Sequence, residues 1–211
     1  ISFFNDATFC IAPENDVVFN YAKTLGLVWQ SDSLESLQVH DLKDTGYVSV
    51  KNSEFSLICD LANVGPDYQP GHAHADTLSF EWCLGANRVF VNSGISEYGV
   101  SDERLRQRKL AAHNTVSING LDSSEVWSGF RVARRAKIIK RDVSVFDDKA
   151  QLSATHDGFK KLGVKCDHER SWSVIQSSIN IVDTLTGKFD TATGFLHLHP
   201  DVQVLKVSED V

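Results

Sequence analysis

The chain has 211 residues, of which 42% are hydrophobic and 23% are charged, and its formal net charge is −7. This is the composition of a folded globular protein of about one domain, so it excludes collagen-like, low-complexity and disordered chains. No apolar run approaches the roughly 20 residues of a membrane-spanning helix, and an acidic chain is unsuited to general nucleic-acid binding.

The first 30 residues differ from the rest of the chain. Because the chain begins with Ile1 and contains no Met, we expect that an N-terminal part has been removed. Pro13, followed by acidic residues, is typical of a helix start, and Gly26 is typical of a helix end. Apolar residues recur between them at helical spacing. The sequence therefore predicts a helix over residues 14–26 that ends an earlier helical region.

From about residue 38 the apolar residues alternate with a period of two, which is typical of strands. The alternation predicts strands at 47–50, 55–60, 78–84, 89–91, 115–118, 136–139, 144–146, 151–155, 171–175, 179–183, 194–199 and 202–207. Many short strands without a second long helix indicate an all-β protein, an antiparallel β-sandwich. The segment from Asn92 to Ala112 lacks strand signals, so it is predicted to be a long functional loop.

Three of the eight histidines lie between Gly71 and Asn114. In an extended segment alternate residues point the same way, so His72, His74 and Asp76 are expected to share a face. Imidazoles beside a core need a polar partner, and a metal ion, a carboxylate or a substrate would each serve. The spacing alone favours ordinary hydrogen-bonded histidines over a metal site. His113 lies between the long loop and a strand, so a backbone-bonded histidine and a functional one both remain open.

Basic residues concentrate between Glu103 and Arg141, where ten lysines and arginines accompany only three carboxylates and give a local net charge of +7. Such an island either binds an anion or is a solvated strand face with scattered salt bridges, and composition leaves both interpretations open. His197 and His199, which share a strand parity, are secondary candidates for a polar site.

Four blocks of sequence carry a family resemblance that covers nearly the whole chain. They are Phe3-Phe4-Asn5-Asp6-Ala7 with Ile11-Ala12-Pro13, Gly71-His72-Ala73-His74-Ala75-Asp76, Val91-Asn92-Ser93-Gly94 with Tyr98-Gly99, and Ala111-Ala112-His113-Asn114-Thr115-Val116. In these blocks and their order the chain resembles the C-terminal region of the heparinase II/III-like family of bacterial polysaccharide lyases. The resemblance implies an N-terminal α/α-toroid domain followed by a β-sandwich. Residues 1–30 are then expected to be the tail of the toroid and a linker, and residues 31–211 the heparinase II/III-like β-sandwich domain.

The resemblance implies β-elimination on an acidic polysaccharide that contains uronic acid. In that family a Tyr and a His or Asn of the toroid act with a His of the sandwich. His72 matches the sandwich His and is the expected catalytic residue. The toroid residues have no counterpart in this chain, so the chain by itself is expected to be nearly inactive. The alternative is a non-catalytic module that binds an acidic glycan or serves in assembly.

The resemblance also implies a zinc ion held by His, Asp and His, which here match His74, Asn92 and His113. An amide oxygen is a weaker zinc ligand than a carboxylate, so the site is expected to hold zinc weakly, to be empty or to be differently occupied. A tight turn at residues 85–88 would place Asn92 opposite Glu81 rather than His74. The site therefore requires a bulge or a folded-back loop.

Two further residues are expected near the substrate. Arg108, in the long loop, is expected to be a structural or a substrate contact, because a guanidinium pairs well with carboxylate or sulfate. Tyr98 is assigned to substrate binding and not to the role of the toroid Tyr. No organic cofactor is implied. The expected partners are an acidic polysaccharide of the glycosaminoglycan or alginate type and the chain's own N-terminal helical domain. The family implies a bacterial periplasmic or secreted protein.

Overall fold

The structure is a computed structural model that describes residues 2–8, 11, 13–28 and 34–205. Within these ranges it contains three helices, α1 (Asn15–Thr24), α2 (Asp102–Arg108) and α3 (Gly158–Lys161). The strands, in chain order, are β1 (Gln38–Leu42), β2 (Tyr47–Lys51), β3 (Phe55–Asp60), β4 (Phe80–Leu84), β5 (Asn87–Phe90), β6 (Val116–Ile118), β7 (Glu125–Trp127), β8 (Arg131–Ala133), β9 (Ile138–Phe146), β10 (Lys149–His156), β11 (Cys166–Ile175), β12 (Ser178–Gly187) and β13 (Ala192–Gly194). No helix in the described ranges is long and apolar enough to cross a membrane.

Two antiparallel sheets dominate the fold. The strands β1 to β5 form one sheet in which each strand pairs with its neighbour in sequence, and β9 to β12 form a second sheet of the same kind. The strand β13 pairs with β6, and β7 pairs with β8, as two-stranded ribbons. Sequential antiparallel pairing follows from short strands joined by tight turns.

The two sheets enclose the main hydrophobic core. Side chains of β2, β3 and β4 meet those of β10 and β11, and Trp172 is the largest fully buried side chain. Along β10 and β11 buried residues alternate with partly exposed ones, as expected for a sheet with one face on a core. Each fully buried large apolar side chain contributes about 1.5–3 kcal/mol. The all-β antiparallel sandwich with a short N-terminal helix, predicted from the period-two alternation, is confirmed.

The helix predicted over residues 14–26 is present as α1. None of its residues is buried, and the side chains of Val18 and Tyr21 are exposed. The helix therefore contributes nothing to the core of the sandwich. The expected boundary between residues 30 and 31 lies outside the described residues.

The segment from Asn92 to Ala112 is not a continuous loop, because it contains α2. The Ser101 hydroxyl accepts a hydrogen bond from Arg104 N–H at 3.1 Å and caps the helix. Two acidic residues follow in the first turn and two arginines occupy the last turn, as the helix dipole favours. The prediction of a loop is wrong here, and this capping pattern was the available signal of a helix.

A chain of buried hydrogen bonds crosses the second sheet from β12 to β10. His168 Nε2 donates to the Asp183 carboxylate at 2.7 Å, and His156 Nε2 lies 3.1 Å from His168 Nδ1. His156 Nδ1 accepts from Gly158 N–H at 3.1 Å. Each ring thus uses one nitrogen as donor and the other as acceptor, which requires neutral imidazoles. Burial lowers the pKa of His156 well below its ordinary value, and burial also lowers the pKa of His168 although Asp183 acts to raise it.

This chain of hydrogen bonds predicts acid sensitivity. We expect the free energy of unfolding to fall as the pH drops below about 6.5, because histidines then bind protons in the unfolded chain but not in the folded one. The slope is at most about 1.4 kcal/mol per pH unit for each buried histidine. In urea titrations between about pH 5 and pH 6.5, His156→Gln should show a shallower slope than the unmodified protein. Identical slopes in the two proteins would contradict this assignment.

Candidate functional site

An aspartate near the start of the chain, Asp6, lies at the centre of a cluster of histidines. Its Oδ2 is 2.8 Å from His72 Nδ1 and 2.8 Å from Arg104 Nη2, and its Oδ1 is 3.0 Å from His74 Nε2. Burial acts to raise the pKa of Asp6, but hydrogen bonds from His74, Arg104 and His72 outweigh it and hold the pKa well below its usual range. Asp6 is therefore a carboxylate that accepts hydrogen bonds from all three side chains.

The segment that carries this aspartate is fixed to the sandwich through backbone groups. Phe3 N–H donates to Glu81 Oε1 at 2.7 Å, and Ile95 N–H donates to the carbonyl oxygen of Ala7 at 2.9 Å. Gly94 permits this approach, because its φ is +59° and a Cβ on it would lie 1.9 Å from the Ala7 oxygen. The N-terminal segment thus completes the site, although α1 separates it in sequence from the strands.

The side chain of His72 is 48% exposed, and His72 ends a short 3-10 turn, Pro70–His72. Because Asp6 engages Nδ1, the other ring nitrogen, Nε2, remains for a ligand. His74 is fully buried. The extended segment expected here is not observed, because Pro70–His72 forms a 3-10 turn, yet His72 and His74 still point to a common partner. The two rings meet at the two oxygens of Asp6.

An aromatic surface adjoins the exposed imidazole, and we call His72, Tyr98 and Phe130 together the aromatic platform. The Tyr98 ring is stacked beside His72 at 6.1 Å between centroids, and Phe130 lies 6.0 Å from His72 and 5.0 Å from Tyr98. Tyr98 is 67% exposed and Phe130 is 37% exposed. The structure therefore brings the predicted catalytic residue and the predicted substrate-binding Tyr98 together on one accessible surface.

A buried arginine supports the platform from below. The guanidinium carbon of Arg104 is 4.5 Å from the centroid of Phe130 and 5.1 Å from that of Tyr98, within range of cation–π attraction. Its Nε donates to the carbonyl oxygen of Gly129 at 2.7 Å, and its Nη2 pairs with Asp6. Sequence reasoning missed Asp6, Arg104 and Phe130 as site residues. Asp6 stands in one of the resemblance blocks, which was the only signal for it.

Arg108 is fully buried and faces main-chain carbonyl groups. It donates to the carbonyl oxygens of Ala73 at 3.0 Å, Gly129 at 3.0 Å and Ser128 at 3.2 Å. Of the two roles expected for Arg108, the structure gives it that of a structural contact, because a guanidinium that is enclosed and hydrogen-bonded in this way is not accessible to a substrate.

Several other arginines of the basic island are paired with carboxylates from inside or outside the island. Arg106 pairs with Glu103 at 2.7 Å, and Arg134 pairs with Glu125 at 2.7 Å. Arg135 pairs with an aspartate at 2.6 Å. These members of the island fit the interpretation of a solvated face with salt bridges.

The three predicted zinc ligands come together. The rings of His74 and His113 are 5.3 Å apart between centroids, and His113 Nδ1 lies 3.0 Å from Asn92 Oδ1. Asn92 N–H donates to Oε1 of the Glu81 side chain at 3.2 Å, and a bulge interrupts the pairing of β4 with β5. Just before β4, the Ser79 hydroxyl donates to Asn92 Oδ1 at 3.0 Å. Of the bulge or folded-back loop that the sequence required, the structure has a bulge in the pairing of β4 with β5, and a turn precedes β4, in which Ser79 N–H donates to the carbonyl oxygen of Asp76 at 2.8 Å.

Two buried imidazole nitrogens of this group are available to a metal ion. Within the described ranges, His74 Nδ1 and His113 Nε2 are buried and lack a hydrogen-bond partner. Burial lowers the pKa of His113 well below its ordinary value, and neighbouring histidines add to the effect, so the ring is neutral as a metal ligand must be. No set of three His, Cys, Asp or Glu side chains in the described ranges is placed to hold a metal. The predicted third ligand, Asn92 Oδ1, is neutral and weak, and here it is engaged by Ser79 and by His113 Nδ1, so it would have to leave these contacts to bind the same ion as His113 Nε2.

Comparison with known proteins identifies relatives of the domain. The family model described as "Heparinase II/III-like, C-terminal" matches residues 35–210. No curated protein sequence matches the chain. Among solved structures, the heparinase III-BT4657 gene product has 15% identity and a TM-score of 0.62, with 88% of this chain and 29% of that chain covered. Heparan sulfate lyase HepC from Pedobacter heparinus has 13% identity and a TM-score of 0.59, with the same coverage, and a mutant of it has 16% identity and a TM-score of 0.56, with 81% and 25% covered.

These likenesses establish a shared fold. The chain spans between 25% and 29% of the length of the structures that it matches. The family match begins at residue 35, so the N-terminal segment that carries Asp6 lies outside the matched range.

Proposed function

The chain belongs to the heparinase II/III-like family through its C-terminal domain, and from this premise we propose that it is the β-sandwich part of a polysaccharide lyase. The substrate would be an acidic polysaccharide that contains uronic acid, cleaved by β-elimination. The observation that carries this proposal is the exposed imidazole of His72, which a buried carboxylate orients beside two exposed aromatic rings.

In β-elimination the C5–H bond of the uronate breaks and its electron pair forms the double bond between C4 and C5. The C4–O bond breaks at the same time, and the leaving oxygen takes its electron pair and a proton. His72 would neutralise the uronate carboxylate or exchange a proton, because Nε2 is accessible while Nδ1–H donates to Asp6. Stabilising the carboxylate acidifies the C5 proton. The other catalytic groups would come from the helical domain, so the chain by itself is predicted to be nearly inactive.

Two other residues of the site would position His72. Asp6 fixes the tautomer and the orientation of its ring, as a carboxylate does for a catalytic imidazole. Arg104 is fully buried and pairs with Asp6, which keeps that carboxylate charged and in place. Tyr98 and Phe130 offer faces on which the apolar side of a sugar ring would stack.

The exposed apolar side chains of α1 support the proposal of a helical partner domain. Val18 is 48% exposed and Tyr21 is 66% exposed in the structure. Such a helix gains stability when a neighbouring element covers its apolar side chains. The chain's own N-terminal helical domain is the proposed neighbour.

A zinc ion would be held by His74 and His113, with Asn92 as a weak third ligand. When bound, it would supply positive charge and a cross-link between the His72 loop and the segment after α2. The role of this chain's residues is to offer two buried imidazole nitrogens, His74 Nδ1 and His113 Nε2, that have no other partner among the described residues.

The zinc proposal predicts metal content. Purified protein is expected to contain stoichiometric or substoichiometric zinc, and His74→Ala is expected to lose it because one of two strong ligands is gone. Elemental analysis after dialysis gives the measurement, with His199→Ala as the control. Equal zinc content in the His74→Ala and unmodified proteins would remove this assignment.

The proposed reaction is tested on the full-length protein with a panel of uronic-acid polysaccharides of the glycosaminoglycan and alginate types. The unsaturated product absorbs in the ultraviolet, so an increase in absorbance with time reports β-elimination directly. Folded protein that gives no signal on any substrate would refute the lyase proposal.

The second candidate is a non-catalytic module that binds an acidic glycan. Asn92, which stands where the family has an Asp, favours it, since a weakened metal site is compatible with a domain kept only for binding. Saturable glycan binding by the full-length protein without turnover would support this candidate over the lyase.

A further inference from the structure

A second cleft lies beyond the predicted zinc ligands, and we propose that it binds an oxyanion, the carboxylate or sulfate group of an acidic ligand. The cleft is open to solvent and has a volume of about 770 Å³. We call it the Arg88 cleft; its polar lining residues are Arg88, Asn92, Ser93, Arg106, His197 and His199. It adjoins the zinc ligands through Asn92, which contacts His113.

Three buried polar atoms of this lining have no hydrogen-bond partner in the described part of the chain. They are Arg88 Nε, Asn92 Nδ2 and His197 Nε2. Each of these nitrogens can donate a hydrogen bond, and a buried donor left unpaired is costly to the folded state. These donors come from two segments of the chain, the stretch from Arg88 to Asn92 and the residue His197, and acceptor oxygens in the cleft would give them partners. The lining is therefore prepared for a ligand rich in acceptor oxygens.

The three side chains are held in place by their remaining contacts. Arg88 Nη2 donates to Glu81 Oε2 at 2.9 Å, and Asn92 Oδ1 accepts from Ser79 and faces His113. The ring of His197 is stacked parallel to that of Phe195, with a centroid distance of 6.4 Å. Arg88 Nε and Asn92 Nδ2 cannot change orientation unless these hydrogen bonds break. The site is thus built before any ligand arrives.

The unpaired N–H donors of the lining favour an anion. Two arginines and two histidines line the cleft, and no carboxylate does so among the described residues. Arg88 is paired with Glu81 and Arg106 with Glu103, so both arginines carry compensated charges and act here through their N–H donors. Carboxylate and sulfate both present oxygens to such donors, so they share the recognition chemistry. If the proposed function holds, the oxyanion is a group on a neighbouring sugar of the polysaccharide, although binding of the anion itself does not depend on it.

The test measures binding of two probes to the full-length protein by calorimetry, inorganic sulfate and glucuronate, at constant ionic strength set with chloride. His197→Phe keeps the stack on Phe195 but removes Nε2, and Arg106→Gln removes an exposed cation. We expect saturable binding of at least one probe, weakened about tenfold by His197→Phe and severalfold by Arg106→Gln. Arg134→Gln, which breaks an exposed ion pair like that of Arg106 but away from the cleft, is the matched control and should bind normally.

Tighter sulfate binding would identify a sulfate subsite and tighter glucuronate binding a carboxylate subsite, and either supports the inference. The absence of saturable binding of either probe would overturn the inference. So would a loss of affinity in Arg134→Gln equal to that in Arg106→Gln, because binding would then depend on the overall charge of the protein and not on this cleft. Arg106 is exposed, so its variant remains informative even if His197→Phe fails to fold. A protein that binds the anion but gives no turnover refutes the lyase and leaves this inference standing.

Discussion

Replacing His72 with Gln in the full-length protein is expected to lower kcat by about 10²- to 10⁴-fold, the usual contribution of a group that exchanges a proton in the transition state. Glutamine keeps a polar side chain of similar size but has no titratable nitrogen. If His72 only neutralises the bound carboxylate, KM should rise together with the fall in kcat. Steady-state kinetics on the preferred polysaccharide separate the two cases.

The structure provides a check that this loss is chemical. The His72 side chain is about half exposed, so the variant should unfold at nearly the same urea concentration as the unmodified protein. Arg134→Gln, an exposed change far from the cluster, should keep full activity. A fall in kcat of less than about threefold in His72→Gln would exclude His72 from the reaction.

Replacing Asp6 with Ala is expected to lower the free energy of unfolding by about 3–5 kcal/mol, because it leaves the fully buried guanidinium of Arg104 without its carboxylate. Urea denaturation measures the loss. The milder Asp6→Asn variant keeps the size of the side chain but removes its negative charge and replaces one acceptor oxygen with an NH2 donor. It should lower kcat by tenfold or more, because the ring of His72 is no longer held in one tautomer.

A double-mutant cycle distinguishes an uncompensated charge from a general packing defect. Asp6→Ala combined with Arg104→Met removes both charges, so the double variant should be more stable than Asp6→Ala alone. Additive losses in the cycle would contradict the pairing of Asp6 with Arg104. Rescue of stability without rescue of activity would separate the structural role of Arg104 from the positioning role of Asp6.

The two predictions concern a single polar network. Asp6 joins His72, which is exposed, to His74 and Arg104, which are fully buried. Because each member is hydrogen-bonded to the carboxylate, the loss of that one group leaves several buried donors unpaired. This explains why an aspartate outside the range of the family match is expected to have a larger effect on stability than the proposed catalytic histidine.

Much of the fold follows from local pattern. Alternation of apolar residues with a period of two predicted most of the strands, and helical spacing between Pro13 and Gly26 predicted α1. Local signals also explain the failures. Ser101 and the acidic residues after it cap α2 within the segment predicted as a loop, and Pro70 begins a turn where an extended segment was expected.

The site was predictable only in part. The approach of His74, Asn92 and His113 came from the family resemblance, and residue spacing alone argued against it. The bulge between β4 and β5 and the turn before β4 resolve that conflict. The burial of Arg108 was not predictable. The local sequence of a basic loop does not distinguish an arginine that binds a substrate from one that donates to main-chain carbonyl groups.

By itself, the sequence determined the class of fold, because each strand's buried face is recorded in its own alternating residues. It also determined the candidate residues His72 and Tyr98. Only the tertiary structure decided that Asp6 orients His72 and that three unpaired donors line the Arg88 cleft. Asp6 and Arg104 are 98 positions apart in the chain, and such a contact depends on how the sheets and loops close over one another. Hydrogen bonds between side chains that are distant in sequence produce no periodic pattern of residues. This part of the site therefore could not be predicted from the sequence and is defined only by the tertiary structure.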